Sequence, residues 1–254
     1  SMVFQNDILA GASGAGGYQI DQSVWFDGST GWLNRTMATG TDAKTFSFSV
    51  WFKQTTPNNA LNMQILFGAF PSEAFSVGTL GVSGSNQLSY RDNNSGSPNV
   101  SSAGQYRDPG AWMHLLFVVN TTEATASNRV KIYTNGTLTT NSSVTYPSLN
   151  ETGTISTAVN HEIGRRSTNY WLRSYVAEMY FIDGQALAPT DFGEYNADGV
   201  WVPKAYVGTY GINGFYLDFA NAGALGTDVS GNGNDWTVNG TITQVTDTPT
   251  DNYA

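Results

Sequence analysis

Phe46-Ser47-Phe48-Ser49-Val50-Trp51-Phe52-Lys53 alternates over eight positions. Successive side chains of an extended chain point to opposite faces. Phe46, Phe48, Val50 and Phe52 therefore share one face, and Ser47, Ser49, Trp51 and Lys53 the other, which predicts a strand laid against a core. Working outward, the strand pattern returns. Met113–Val119 is an apolar run of strand length, suited to cover on both faces. Val130-Lys131-Ile132-Tyr133 leads into Asn135-Gly136 and then Thr137-Leu138-Thr139. Asn and Gly both accept positive φ, so this is a hairpin. Ser174–Ile182 alternates, with Tyr175, Ala177, Met179 and Phe181 expected on one face. Phe215–Phe219 and Trp236–Val238 read as further strands. Helical periodicity is nearly missing; one helical turn is expected around Thr190–Tyr195, since Pro189 suits a helix start. Many short strands joined by Gly/Asn/Ser turns predict a sandwich. Residues 1–22, with a Gly/Ala/Ser run at Ala10–Gly17, are expected to be a flexible arm, leaving 23–254 as a single domain.

Composition narrows the classes. Charged residues are 12% of the chain, against a usual ~25%. Aromatics are 13% and apolar residues 40%, which suits a sandwich with ample core and not a disordered chain. The net charge is −9, and the 11 basic residues are spread thinly along the sequence. A nucleic-acid surface is therefore not expected. Cysteine is absent, so disulfides and Cys-based zinc sites are excluded. The longest apolar run, Leu115–Val119, is far short of the ~20 residues of a spanning helix. Neither membrane insertion nor a secretory leader is expected.

Several strings resemble the concanavalin A-like jelly rolls of the laminin G-like group, in the order that group shows. They are Val24-Trp25-Phe26-Asp27-Gly28-Ser29, Phe48–Lys53, Ala111-Trp112-Met113-His114, Ile132-Tyr133-Thr134-Asn135-Gly136, His161-Glu162-Ile163-Gly164-Arg165, and Val176–Tyr180 followed by Ala186-Leu187-Ala188-Pro189. The resemblance covers roughly Val24–Tyr195 and implies an all-β, two-sheet antiparallel jelly-roll sandwich. Tyr106–Trp112, Phe181–Leu187, Gly199–Pro203 and Gly214–Phe219 resemble lectin-like proteins of marine bacteriophages over nearly the whole chain. That resemblance implies a component of the virion or its tail. In many laminin G-like domains a "Leu-x-Phe" strand and an "Asp-x-Ser-Gly-Asn-Gly-Asn" loop precede the "Phe-Asp-Gly" strand. Here Phe215–Phe219 and Asp228–Asp235 come last. The order implies a circular permutation, with residues 214–254 completing the sandwich beside the strand of Trp25 and Phe26.

The chemistry-bearing residues are few. The loop Asp228-Val229-Ser230-Gly231-Asn232-Gly233-Asn234-Asp235 is rich in oxygen donors and Gly. It reads either as a plain Asx/Gly turn or as a loop around Ca²⁺, which takes 6–8 oxygens. The candidate ligands are Asp228, Asn232, Asn234 and Asp235, with Glu178, at a position where laminin G-like domains often carry Asp. Asn169-Tyr170-Trp171-Leu172-Arg173 lies between two predicted strands, near Arg165 and Arg166. Asn169, Tyr170, Trp171 and Arg173 are the candidate glycan contacts, with Trp171 read either as a sugar platform or as core. The Glu-x-Asp-x-x-Glu strand of laminarinase-type relatives, whose paired carboxylates cleave glycosidic bonds, does not occur, nor does a Gly-x-Ser-x-Gly elbow. His114 falls in a predicted core strand and reads as hydrogen-bonded structure. The expectation is a non-catalytic, lectin-like module of a phage particle, binding host or environmental glycans. The alternative is a structural decoration or fibre component that binds other virion proteins or copies of itself.

Overall fold

The computed structural model describes residues 17–55, 64–69, 75–80, 86–92, 99–106, 108–166 and 170–251. In chain order the strands are β1 (Ser23–Asp27), β2 (Trp32–Thr36), β3 (Thr45–Gln54), β4 (Gln64–Ala69), β5 (Phe75–Leu80) and β6 (Leu88–Asp92). Then come β7 (Asn99–Ser102), β8 (Met113–Asn120), β9 (Val130–Thr134), β10 (Thr137–Leu138), β11 (Asn141–Thr145) and β12 (Asn160–Ile163). The last are β13 (Arg173–Asp183), β14 (Gly193–Tyr195), β15 (Trp201–Pro203), β16 (Phe215–Leu217), β17 (Thr237–Asn239) and β18 (Thr243–Val245).

Two antiparallel sheets face each other. The first runs β10-β9-β8-β3-β13-β1-β18, with β16 also on β13; the second runs β11-β7-β6-β5-β4-β12-β2-β17. The architecture is the expected all-β jelly-roll sandwich. The alternation in β3 holds: Phe46, Phe48, Val50 and Phe52 all enter the core between the sheets. There Phe48 stacks on Phe67 of β4 with ring centroids 5.1 Å apart, and Phe67 meets Phe181 of β13 at 5.4 Å. Rings packed this way each contribute about 1.5–3 kcal/mol from burial. The hairpin between β9 and β10 forms at Asn135 (φ 45°) and Gly136 (φ 79°). A Cβ at Gly136 would also run into the Trp201 indole.

Three expectations are corrected. The alternation of Ser174–Ile182 does not keep one face. A bulge between Ala177 and Tyr180 sets two residues of β13 against one of β3, and Glu178 takes φ 51°. The extra residue turns the strand over. Tyr175 and Ala177 therefore lie on the outer face, while Met179 and Phe181 point into the core. The helical turn is only a 3-10 turn at Pro189–Asp191, because Gly193–Tyr195 is drawn into a hairpin with Trp201–Pro203. Finally, the described end of the expected arm is packed. Ile20 is buried, its N–H bonds Thr250 Oγ1 at 3.0 Å, and the Tyr18 hydroxyl reaches Glu178. Residues 1–16 lie outside the described part.

The tail joins both sheets. β16 pairs with the Met179–Phe181 half of β13, β18 with β1, and β17 with β2. Phe215, Leu217 and Phe219 are buried. β16 lies in line with β1 along the same edge of β13, not alongside it, because β1 takes the other half, Arg173–Val176. Side chains of the β14–β15 hairpin and the tyrosine-rich stretch after it cover the outer face of the first sheet. Trp201 packs on His114 at 6.0 Å, and Tyr206 on Phe192 at 5.3 Å. His114 there accepts from the Trp201 indole N–H at Nδ1 (3.1 Å) and bonds Ser49 through Nε2. Burial lowers its pKa to about 3, so it is a neutral structural group, as expected.

Candidate functional site

The Asp228 loop is closed by its own hydrogen bonds. Asp228 Oδ1 accepts from the N–H of Tyr216 and of Ser230, both at 2.9 Å. Oδ2 accepts from the Ser230 hydroxyl at 2.9 Å and the Asn234 N–H at 2.8 Å. Asn232 and Asn234 donate their amide N–H groups to the carbonyls of Gly211, Ile212 and Gly214. Asn234 Oδ1 accepts from the Arg35 guanidinium at 2.6 Å, and Asp235 Oδ1 from the Asp228 N–H. Both Asp228 oxygens, Asn234 Oδ1 and Asp235 Oδ1 are thus taken by N–H and O–H donors, one of them cationic. Among the described residues no group of three or more His, Cys, Asp or Glu is arranged to hold a metal. The donor set does not fit Ca²⁺.

Nor does Glu178 approach this loop. The bulge turns its side chain to the outer face of the first sheet. There Oε2 accepts from the hydroxyls of Tyr18 (2.8 Å), Tyr180 (3.0 Å) and Tyr216 (2.7 Å). Burial raises the Glu178 pKa, and the three phenol donors pull it partly back. Burial, then the Glu178 charge, pushes the Tyr18 phenol up to about 12.

The outer face of the second sheet is different in kind. Leu33 of β2 and Ile163 of β12 point inward, so their neighbours Trp32, Asn34, Asn160 and Glu162 point outward. Thr237, Asn34, Glu162 and Gly68 stand opposite one another across β17, β2, β12 and β4. Gly68 leaves the row without a side chain at that step. Asn34 Oδ1 accepts from Asn239 at 2.8 Å, and the Asn34 amide contacts Asn160 Oδ1 at 3.4 Å. Arg165 ties the aromatic part together. Its guanidinium lies 3.2 Å from the Trp32 ring centroid and 5.2 Å from that of Trp171, and its Nε is 3.2 Å from Glu162 Oε2. Arg166 lies over Tyr170 at 5.2 Å.

The expected loop thus delivers Tyr170 and Trp171 to this face. Tyr170 is held by its carbonyl, which accepts from the Ile65 N–H of β4. Asn169 lies outside the described residues. Arg173 is not part of the cluster: it starts β13 and runs along Gly28. Trp32, Asn34, Asn160, Glu162 and Asn239 were missed. Their signal was the alternation of Trp32-Leu33-Asn34 and of Asn160-His161-Glu162-Ile163, which places one polar or aromatic set outward in each short strand. A cleft of about 410 Å³ at one end of the first sheet has Tyr106, Trp112, Gln54 and Asn135 in its walls. Three of its polar groups are committed: the Trp112 N–H to Asp247, the Gln54 amide to Asn86, and Asn135 Oδ1 to the His114 N–H.

The sandwich and this polar, aromatic sheet face define a lectin-type fold. The chain belongs to the concanavalin A-like lectin/glucanases superfamily, whose Laminin_G_3 model matches residues 27–190. A putative carbohydrate-binding protein from Bacteroides ovatus is similar in structure, with a TM-score of 0.62, 15% identity, and coverage of 91% of this chain and 61% of that one. The chain thus spans about three-fifths of that protein. A SAP-like pentraxin of Limulus polyphemus aligns with a TM-score of 0.48 and 14% identity, over 66% of this chain and 78% of that one. Domains LG4-5 of the mouse laminin alpha1 chain align with a TM-score of 0.42 and 16% identity, over 74% and 47%. No curated protein matches. No helix among the described residues is long and apolar enough to cross a membrane.

Proposed function

We propose that the protein binds saccharides on the outer face of its second sheet without cleaving them, and that it does so as a surface or tail component of a bacteriophage particle. One observation carries the binding reading. The Trp32–Arg165–Trp171 stack stands beside a row of amide and carboxylate groups, Asn239, Asn34, Asn160 and Glu162. Sugar rings offer C–H faces that suit aromatic surface, and hydroxyls that suit amide and acid groups. The Glu162–Arg165 ion pair holds the tryptophans in place before a ligand arrives, which lowers the ordering cost of binding. The superfamily and the similarity to a protein described as carbohydrate binding support the reading. The virion setting is supported by the bacteriophage resemblance of the sequence. The non-cleaving part is supported by the state of the two carboxylates: Glu162 is paired with Arg165, and Glu178 is held by three phenols on the opposite sheet.

The test is a glycan array followed by calorimetry on the native protein, Trp32→Ala and Trp171→Ala. Both rings are half-buried. Binding is expected to fall about fivefold to 150-fold in each variant, if sugar stacking matches the roughly 1–3 kcal/mol of base–aromatic stacking, with little change in melting temperature. No reducing ends should be released from bound polysaccharide. A native protein that binds no glycan, or variants that bind as well as it does, would refute the reading. A second reading, an assembly component of the particle, is favoured by the exposed apolar side chains Leu138, Tyr195, Val200, Val207 and Ile212. A defined oligomer in light scattering together with no glycan bound would select it.

A further inference from the structure

The geometry points to a second saccharide site, the cleft at the end of the first sheet, which takes the terminal, neutral sugar unit of a glycan chain. It shares no residue with the sheet-face site and stands whether or not that site binds. The cleft measures about 410 Å³, within the range of about 300–1,000 Å³ usual for small-molecule sites. It lies where β3 ends and β8 begins, since Phe52 pairs with Met113 there and both line it. The segment before β8 contributes Gln105, Tyr106, Asp108 and Trp112. The β9–β10 turn supplies Asn135, whose N–H and Oδ1 both bond the main chain of His114 in β8.

The polar groups of the cleft divide into two sets. One set holds the walls. The Trp112 N–H goes to Asp247 at 2.9 Å, and the Lys53 ammonium lies 5.5 Å from the ring centroid. Tyr106 is anchored by its own N–H to the Asn86 carbonyl at 2.9 Å, and its ring packs against the core. Asp108 Oδ1 accepts from the Gly110 N–H at 2.9 Å. The other set is left for a ligand. Asp108 Oδ2, Asn135 Nδ2, the Tyr106 hydroxyl and the Gln105 amide make no hydrogen bond among the described residues. Gln105, Asp108 and Asn135 are exposed, and Tyr106 and Trp112 are half-buried, so a ligand can reach them. One unpartnered amide on a surface is ordinary. Here a held acceptor and a held donor border one concavity together with two aromatic rings.

A sugar unit matches this set. Its C–H face suits the indole and phenol rings, and its adjacent hydroxyls, each donor and acceptor at once, suit a carboxylate oxygen and an amide N–H. The groups are already held, so binding orders little side-chain freedom. Asp108 is the one charged group among the described residues of the cleft, and the chain carries a net charge of −9. A sugar bearing carboxylate or sulfate is therefore repelled, and a neutral one is preferred. A concavity of this size encloses about one or two sugar units, whereas the sheet-face row runs across four strands. The cleft thus admits the end of a chain, and the sheet face its interior units.

The experiment follows the tryptophan indole N–H signals of the nitrogen-labelled full chain by NMR. The probes are glucose, galactose, mannose and N-acetylglucosamine, with glucuronate and galacturonate as acidic controls. Trp112→Phe assigns the Trp112 signal, and the Trp32 and Trp171 signals report the sheet face in the same spectra. At least one neutral sugar is expected to move the Trp112 signal saturably, in the native protein and equally in Trp32→Ala, while the acidic sugars leave it in place. Asp108→Ala should weaken that titration about tenfold or more, the scale of a hydrogen bond to a charged group. Asn135→Asp, which keeps the Oδ1 acceptor and loses the donor, should weaken it too. If that variant melts below native, Asp108→Ala, in an exposed turn, decides alone. No neutral sugar moving Trp112, a titration that Asp108→Ala leaves unchanged, or one that vanishes in Trp32→Ala would overturn the cleft site. Acidic sugars titrating Trp112 as strongly as the best neutral one would overturn its preference. Movement of the Trp32 and Trp171 signals alone would reject the cleft and leave the sheet-face reading standing. Movement of Trp112 alone would support the cleft and count against the sheet face.

Discussion

Asp228→Ala should unfold the C-terminal loop without any involvement of calcium. The carboxylate accepts four hydrogen bonds. Two of them, from Ser230, are local to the turn, and water can replace them. The other two come from the N–H of Tyr216 in β16 and of Asn234, which is buried. Losing a charged acceptor costs about 1.5–3 kcal/mol per bond, and an orphaned buried donor about 1–3 kcal/mol. Two such donors give a loss of about 3–5 kcal/mol once non-additivity is allowed for. The loop also sets Trp236, whose ring packs on Phe215 at 5.0 Å and on Phe67 at 6.0 Å. A chain of this size shifts by roughly 2–4 °C per kcal/mol, so the melting temperature should fall by about 6–20 °C. Asp228→Asn, which trades one acceptor oxygen for a donor, should fall by about half as much. The assay is a thermal melt of native and variant proteins, each with millimolar Ca²⁺ and with chelator. Calcium at a hundredfold excess over its Kd would add about 2.7 kcal/mol to a protein that bound it, a rise of several degrees. None is expected. A variant that melts within about 2 °C of native, or a chelator-reversible rise with Ca²⁺, would refute the closed-loop account.

The remaining predictions concern Glu178 and the C-terminal tail. Because burial raises the Glu178 pKa, folding favours its protonated form. Its favourable contribution is therefore complete below the ordinary carboxyl range and is lost as pH rises through the folded pKa. Relative to Glu178→Gln, the native protein should lose stability from about pH 4.5 towards neutrality; parallel melting curves for the two proteins across that window would contradict this. Deleting residues 214–254 removes Phe215, Leu217, Phe219, Leu225 and Trp236 from the core and bares edges of β13, β1 and β2. The truncated chain should aggregate. A soluble product with native-like stability would show the tail to be a separate unit.

The strand pattern, the hairpin at Asn135-Gly136 and the sandwich were legible because each depends on a period of two or on the φ of one turn, both local to the chain. The same locality misplaced Tyr175 and Ala177. Nothing in Ser174–Ile182 marks the bulge at Glu178, which arises where β13 must pair with β3 on one edge and with β1 and then β16 on the other. Glu178 was expected at the Asp228 loop because laminin G-like domains often carry Asp at its position, and the bulge sends it to Tyr180 of its own strand and to Tyr18 and Tyr216 from distant segments. Asp228, Asn232 and Asn234 were found by composition. Whether their oxygens faced a cation or the backbone N–H groups of β16 and the loop itself was a matter of tertiary packing. Tyr170 and Trp171 stood out in sequence, but Trp32 and Glu162 did not. They become neighbours only when β2 and β12 pair and Arg165 folds back between them. The sequence by itself determined which residues form strands and which of their faces are apolar, because those follow from neighbours one and two positions away. The tertiary structure alone decided which polar residues meet, because strand order and register bring together residues that the chain keeps far apart.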